Sequence, residues 1–456
     1  MPLSRSKVPN VFLANFLILI ALGVILVSEN SLLIVTVAIA SFLIFMLHIN
    51  KPEFSLYLFL FLLPWIPYVS VGTFKIWPIV GAVVIFSYLV WILMAGLKIR
   101  HMEGCLKYFL VFYGILFISF LVNGPYPRTG YVFRQYFELL ALFFLITQIM
   151  NNFIHIKNLI WVMILMQCCN AATLWLQHFA IISQFYFFDV DLGNRLGGNF
   201  GNPNVAAFNL NCALPLIMFL FYEHKANFKI RTTLIILFVF IIVAIVFTIS
   251  LTGMIGLTVA IFASIYFINP RMNKPRLRYL IIAFCFGLGT FFVLFSLPQY
   301  RTRIEMKISK FDNEDLVNQS RIGRWIGSAR VIAENPMFGT GPGSSKAAMT
   351  RMTGYIGGPH STFLYVGLEG GLPGMGFFIL FFGKPLRKLW RRYKKYRYTY
   401  VNREIMLLYG TSIALFCVIF VGSLIRSAQR DIIVWISLGL VISLLRIDRS
   451  RWNMPV

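Results

Sequence analysis

Long apolar segments alternate with short polar ones along almost the whole chain. Most apolar segments reach or approach the roughly 18–20 residues that cross a bilayer as an α-helix. The pattern predicts an all-α, polytopic integral membrane protein with 12–14 transmembrane helices, because the two shortest segments are open to being tilted pairs or re-entrant. The fourteen predicted spans are 11–28, 31–47, 54–71, 76–97, 105–123, 131–150, 158–182, 204–222, 232–249, 253–269, 279–297, 362–383, 405–425 and 431–445.

The charges of the polar segments predict the topology. Lysine and arginine are enriched in short cytoplasmic loops. If the chain starts inside, each of its inner connections carries lysine or arginine, and the densest of them is 384–403. Both termini are then cytoplasmic. The basic N-terminal stretch leads into a first span rather than a cleaved signal, since no small-residue cleavage site follows it.

Two outer segments are longer than the connections between spans need to be, namely 183–203 and 298–361. The second segment separates two larger parts, so the chain has three parts. Residues 1–297 carry eleven spans and the first outer loop, and 298–361 form a long outer loop with short helices. Residues 362–456 carry the last three spans and the basic inner loop 384–403.

Composition removes other classes of function. The chain has 456 residues, is 59% hydrophobic and carries a net charge of +25. Basic loops of a membrane protein set topology and contact anionic lipid headgroups, and no nucleic-acid reading motif accompanies the charge. The six cysteines lie in or beside apolar runs without zinc or disulfide spacing, which indicates packing residues.

The two outer segments contain the candidate chemistry. Arg195 lies among glycines and asparagines, where backbone N–H groups and a guanidinium fork can meet an anion; an ordinary surface arginine is the alternative. In the second segment, Arg321 and Trp325 lie in a predicted amphipathic helix that could rest on the membrane surface. The Gly339–Gly343 glycines, spaced G-x-G-x-G, are weak evidence for a phosphate loop, since no Lys-Ser/Thr follows.

His360 is the histidine placed on the long outer loop, beside these basic and glycine-rich stretches. Histidine is suited to proton transfer near neutral pH, although a lone histidine is more often structural.

Three motifs in order resemble the O-antigen ligase and polymerase superfamily of bacterial membrane glycosyltransferases. The resemblance covers about 183–376 in motifs and the whole chain in topology. The first motif is Arg195 … Gly198 … Asn202-Pro203-Asn204. The second is Arg321, Trp325, Asn335-Pro336 and the glycines Gly339, Gly341 and Gly343. The third is His360-Ser361, Gly371 and Gly374.

The resemblance implies a function on the periplasmic side of the bacterial inner membrane. Members of the superfamily transfer a glycan from undecaprenyl pyrophosphate to an acceptor hydroxyl, without a metal or another cofactor. It implies His360 as the general base and Arg195 and Arg321 as the pyrophosphate clamp. Asn202, Asn204, Trp325, Gly341, Ser361, Gly371 and Gly374 support the motifs. Inversion at the anomeric carbon follows from attack opposite the leaving group.

One position departs from the family pattern. Many relatives carry an arginine in the short turn where this chain has Leu251. Arg301, Arg303 or Arg321 are the candidates to replace it. Arg134 and Glu138 lie four residues apart near the outer end of a span, which fits a self-neutralising structural pair or part of a donor pocket.

The acceptor distinguishes two versions of this function. A ligase uses lipid A–core, and a polymerase uses another lipid-linked repeat and can work with a chain-length regulator. The count of fourteen spans leans slightly toward a polymerase. The competing classes are a transporter, such as a polysaccharide flippase or solute carrier, and a scaffold of an envelope complex. No internal repeat typical of transporters is found in the sequence.

Overall fold

The computed structural model describes 52–63, 104–179, 195–268, 296–308, 320–354, 357–398 and 403–452. Isolated positions between 70 and 102, and 289 and 292, are also described. The predicted spans 11–28 and 31–47 lie outside these ranges, as do nearly all of 76–97 and 279–297.

Helices make up almost all of the described structure, which confirms the all-α class. The one strand pair among these residues joins Ser70–Val71 (β1) to Phe74–Lys75 (β2) in antiparallel register. The helices are α1 Pro52–Leu62, α2 Leu106–Asn123, α3 Thr129–Ile149, α4 Phe153–His178, α5 Pro203–Glu223, α6 Phe228–Phe247, α7 Leu251–Ile268, α8 Pro298–Ile308, α9 Arg321–Glu334, α10 Ser345–Thr353, α11 Thr362–Tyr398, α12 Arg403–Ile425 and α13 Ile432–Trp452.

Eight helices in the described ranges are long and apolar enough to cross a membrane, namely α2 to α7, α11 and α12. Several begin and end within a few residues of the prediction: 105–123 became α2, and 405–425 became α12. The shortest predicted span, 431–445, lies within α13, which is a 21-residue helix. The protein is therefore a multi-pass membrane protein.

Small residues bring the central helices close together. Helix α7 packs against α5 and α12. A Cβ atom added at Gly253 would lie 2.5 Å from the Cβ of Ala207, so the two backbones approach as closely as glycine permits. In contrast, α2 and α6 expose apolar side chains such as Leu121 and Ile236, as expected for helices that face lipid.

Contacts between connections bring distant segments together at the two ends of the bundle. At one end, Thr129 Oγ1 donates to the carbonyl of Pro342 at 2.8 Å. At the opposite end, Lys157 lies between the carboxylates of Glu223 and Glu404.

The basic segment 384–403 is not a loop, as the sequence pattern predicted, but a helix for most of its length. Helix α11 continues through it to Tyr398, and α12 starts at Arg403. Buried Asp448 of α13 anchors this extension, since it accepts hydrogen bonds from Arg392, Tyr396 and Tyr409. These hydrogen bonds hold a charged helix against α12 and α13, where the hydropathy pattern alone predicted a polar connection.

Candidate functional site

His360 lies at one end of the bundle, two residues before α11 begins at Thr362. Its backbone φ is 51°, a left-handed conformation that is uncommon outside glycine and is often found at functional sites. The next residues are held firmly. Thr362 Oγ1 donates to the carbonyl of Arg426 at 3.1 Å and accepts the N–H of Ala428 at 2.8 Å.

The imidazole of His360 contacts Arg324. The Nη1 atom of Arg324 lies 2.7 Å from Nε2 of His360. A guanidinium can only donate, so Nε2 is the acceptor and the ring proton of the neutral imidazole is on Nδ1. Helix α9 presents Arg324 from its first turn, which Ser320 caps by accepting the N–H of Gly323.

Burial and positive charge keep His360 neutral. Burial, as the largest cause, and the cations Arg324, Arg321, Arg426 and Lys346, in that order, together lower the pKa of His360 to about 4. Below, these five residues are called the His360 cluster. At neutral pH the cluster combines an uncharged base with four positive charges.

Two buried donors on α9 lack acceptors within the described part of the chain. They are Nε of Arg324 and Nε1 of Trp325. A buried donor without an acceptor costs about 1–3 kcal/mol. With the four cations, these donors suit a ligand rich in anionic oxygens.

Arg195 belongs to a second group, the Arg195 cluster of Arg195, Asn204 and Ser250. Asn204 Oδ1 accepts from Arg195 Nη2 at 3.2 Å and from Ser250 Oγ at 2.7 Å. Asn202 caps α5, because its Oδ1 accepts the N–H of Asn204 at 2.9 Å. The Asn-Pro-Asn motif thus starts a helix with its first asparagine and orients an arginine with its second.

The two clusters lie on either side of one contact. Phe208 follows Asn204 by one turn of α5, and the Arg426 guanidinium lies 5.0 Å from the centre of its ring. Asp431 holds Arg426 from the other side by an ion pair. The loop between α12 and α13 thereby connects the Arg195 side of the site to His360.

The structure does not bring Arg301 into the His360 cluster. Arg301 is exposed on α8, and its Nε donates to Glu305 one turn later, at 2.9 Å. The side chain of Arg303 lies outside the described residues. Arg134 and Glu138 form the expected pair on α3, at 3.4 Å, with the arginine half exposed.

The three glycines of the G-x-G-x-G motif serve close packing. Gly339, Gly341 and Gly343 all have positive φ. A Cβ atom at Gly343 would lie 2.8 Å from the backbone of Arg128 at the start of α3. The Gly343 N–H donates to Glu369 Oε1 at 2.9 Å, so this amide binds a carboxylate of the protein.

Gly371 interrupts α11, with φ 66° and ψ −170°, a conformation essentially restricted to glycine. The break frees backbone groups that other elements satisfy. The carbonyl of Pro336 accepts the N–H of Leu372 at 2.7 Å, and that of Leu368 accepts the N–H of Thr340 at 2.7 Å. Ser119 Oγ donates to the carbonyl of Glu369 at 2.8 Å. Gly374, in contrast, makes only ordinary contacts.

Four residues of the site have no role predicted from the sequence, namely Arg324, Arg426, Arg430 and Glu369. Glu369 is fully buried in α11, and its Oε2 has no hydrogen-bond partner in the described ranges. Arg430 lies within electrostatic range of it and donates to the Tyr365 hydroxyl at 2.9 Å. An acidic residue inside an apolar span is a signal that could have identified Glu369.

Carboxylate, imidazole and thiol groups do not gather at a metal site here. Within the described ranges, no three His, Cys, Asp or Glu residues are placed to hold a metal ion.

Comparison with known proteins supports the motif resemblance. A family model described as O-antigen ligase matches residues 236–379, which include α9, the glycine motif and His360. The match ends before Arg426 and begins after the Arg195 cluster's Asn204. A search of curated proteins finds no match. Residues 236–379 of the chain thus carry its similarity to the O-antigen ligase family, and the regions before and after them lie outside the match.

Proposed function

We propose that the protein transfers a glycan from undecaprenyl pyrophosphate to a hydroxyl group of an acceptor at the periplasmic face of the inner membrane. The reaction is independent of metal and inverts the anomeric carbon. The acceptor is lipid A–core for a ligase, or a second lipid-linked repeat for a polymerase. The family supports an O-antigen ligase or polymerase type of function in general.

The observation that carries the proposal is the hydrogen bond between Arg324 and His360 inside a group of cations. A base and an anion-binding group lie within one hydrogen bond of each other, at the end of a membrane span and inside the matched region. The donor requires this pairing, because its lipid tail keeps the pyrophosphate near the headgroups while the hydroxyl arrives from the aqueous side.

The chemical step uses these residues in two roles. His360 accepts the proton of the acceptor hydroxyl while its oxygen bonds to the anomeric carbon from the face opposite the phosphate. The bond from that carbon to the phosphate oxygen breaks, and undecaprenyl pyrophosphate leaves with both electrons. Arg324, Arg321 and Arg195 stabilise the charge that develops on it. The proton then passes from the imidazolium to water.

Charge of the donor would activate His360. Its Nε2 lone pair accepts the Arg324 bond and cannot take a proton while that bond persists. A pyrophosphate draws Arg324 toward itself and offsets the charges that lower the pKa of His360. Donor binding thus frees the lone pair and raises the pKa toward the range where a general base is effective.

The orientation can be measured separately from the chemistry. Single cysteines at Arg330, exposed on α9, and at Lys395, exposed on α11, are introduced into a cysteine-free chain and treated with an impermeant thiol reagent in spheroplasts. We expect labelling of Arg330→Cys alone in intact spheroplasts, and of both variants after lysis. Labelling of Lys395→Cys alone before lysis contradicts the periplasmic placement.

The function is tested with purified full-length protein in nanodiscs, a glycan-bearing undecaprenyl pyrophosphate and each acceptor in turn. We expect His360→Gln to lower turnover about 10²–10⁴-fold, the usual contribution of general-base catalysis. His178→Gln is the matched control, since His178 ends α4 and stacks on Phe247. Product on lipid A–core indicates a ligase, and lengthened lipid-linked glycan indicates a polymerase. Transport without a new glycosidic bond favours the transporter.

A further inference from the structure

An apolar groove opens between α11, α12 and the start of α13. Its volume is about 170 Å³, and its lining is almost entirely apolar. Five phenylalanines form much of the wall: Phe363, Phe378, Phe382, Phe416 and Phe420. Phe420 is 55% exposed, so the groove is open sideways toward the bilayer.

One end of the groove meets the His360 cluster. Thr362 lines the groove and lies two residues after His360, and its hydroxyl donates to the carbonyl of Arg426. Ala428 and Gln429, next to Arg426 in sequence, line the same end. A cationic site and an apolar channel are thus joined at Thr362.

We infer that this groove holds the part of the donor's polyprenyl tail next to the pyrophosphate. The inference rests on the proposed function. A polyprenyl pyrophosphate joins two anionic phosphates directly to an apolar chain. The protein likewise places a cluster of cations directly beside an apolar groove. A water-soluble glycan or a small anion would have no use for the apolar wall.

The groove positions the donor more than it strengthens binding. Lipid tails are as apolar as the groove, so transfer of the chain from bilayer to protein gains little from the hydrophobic effect. Contact with ring walls fixes the first isoprene units relative to Thr362. That contact sets the distance at which the anomeric carbon is presented to His360.

A matched pair of glycines tests the groove. Gly383 lines it, and a Cβ added there meets nothing within 4 Å, so Gly383→Leu places its side chain in open space along the groove. Gly376, on the same helix, also meets nothing within 4 Å but does not line the groove. Gly376→Leu is therefore the control for added bulk.

The kinetic readout compares donors of different tail length. With an undecaprenyl donor, we expect Gly383→Leu to lower kcat/KM about tenfold, which corresponds to about 1.4 kcal/mol. With a donor that carries a methyl group in place of the polyprenyl chain, the variant and the wild-type protein should have equal kcat/KM. Gly376→Leu should match the wild type with both donors. An unchanged kcat/KM of Gly383→Leu for the undecaprenyl donor overturns the inference.

A second readout does not need transfer. Undecaprenyl phosphate with a diazirine near its phosphate end is crosslinked to the full-length protein in nanodiscs, and labelled peptides are identified by mass spectrometry. We expect label in 378–386 and 416–429, displaced by unlabelled undecaprenyl phosphate but not by phosphatidylglycerol.

The outcomes separate the two proposals. Labelled groove peptides in a wild-type protein that forms no glycosidic bond support the groove and contradict the transferase function. An active wild type whose label maps to other helices overturns the groove alone. Equal displacement by phosphatidylglycerol shows a general lipid site and also overturns it.

Discussion

The Nη1 atom of Arg324, in the first turn of α9, lies 2.7 Å from Nε2 of His360, in the connection between α10 and α11. The bond assigns the acceptor nitrogen and thus the tautomer of the neutral ring. The bond couples the base to one arginine, so a substitution of either residue should change the hydrogen bonding and charge around the other.

The pH dependence should differ between free and donor-bound protein. The pKa of His360 is lowered to about 4, so the free protein holds the active, neutral ring above that pH and loses it as the pH falls through about 4. We expect the acid limb of kcat/KM near pH 4. The limb of kcat should lie at higher pH, since bound pyrophosphate offsets the cations. Thermal melts at each pH control for unfolding, and two coincident limbs near 6.5 contradict this coupling.

Removal of the Arg324 charge should change both binding and basicity. Arg324→Gln is expected to lower kcat/KM about 10²–10³-fold, the usual effect of losing one donor to a developing anion. It should also move the acid limb of kcat/KM upward, because Arg324 is the foremost of the charges that lower the pKa of His360. Arg330→Gln, an exposed arginine on the same helix, is the control. Equal loss in both variants shows a nonspecific effect of charge.

Arg195 and Asn204 should act as one unit. Because Asn204 Oδ1 orients the guanidinium, Asn204→Ala should reduce transfer about tenfold, and Arg195→Ala by more. The double variant should be no worse than Arg195→Ala alone, which a double-mutant cycle in kcat/KM measures. Asn227→Ala, which removes the cap at the start of α6, is the control. Additive losses argue against the orienting role.

Substitutions of the two motif glycines of α11 should differ in their effect on the stability of the protein. A Cβ atom at Gly371 would lie 2.6 Å from the backbone of Met337, and the backbone there is essentially restricted to glycine. Gly371→Ala is therefore expected to lower the melting temperature of the purified protein clearly. Gly374→Ala should leave it nearly unchanged, because its nearest neighbour is 3.6 Å away, in Ile115. Equal melting temperatures of the two variants refute this distinction.

Glu369 and Arg430 should depend on each other. Arg430 lies within electrostatic range of the buried Glu369, and removing one of two such charges leaves the other uncompensated, whereas removing both costs less. Glu369→Gln should thus be less stable than the double variant with Arg430→Gln, as measured by thermal melting. The half-exposed pair Arg134–Glu138 is the comparison, and Glu138→Gln should cost at most about 1 kcal/mol. A double variant less stable than Glu369→Gln contradicts the pairing.

Much of the fold was predictable from the sequence. A span needs about 20 apolar residues whatever its neighbours are, so length and hydropathy located α2 to α7 and α12. The prediction was wrong at 384–403. Whether a charged segment forms a packed helix depends on its partner rather than on its own composition. The partner here is Asp448, which is distant in the chain.

The sequence by itself determined the membrane architecture and the motifs around Arg195, Arg321 and His360, because these are local patterns of residue type and spacing. Only the tertiary structure placed Arg324 on the imidazole, Arg426 beside Phe208 and Glu369 under the glycine loop. Each of these contacts joins elements far apart in the chain, and a side chain's partner is fixed by packing. The same packing showed that Gly339, Gly343 and Gly371 permit close backbone contact. The spacing of these glycines in the sequence does not reveal that this is why they are glycines.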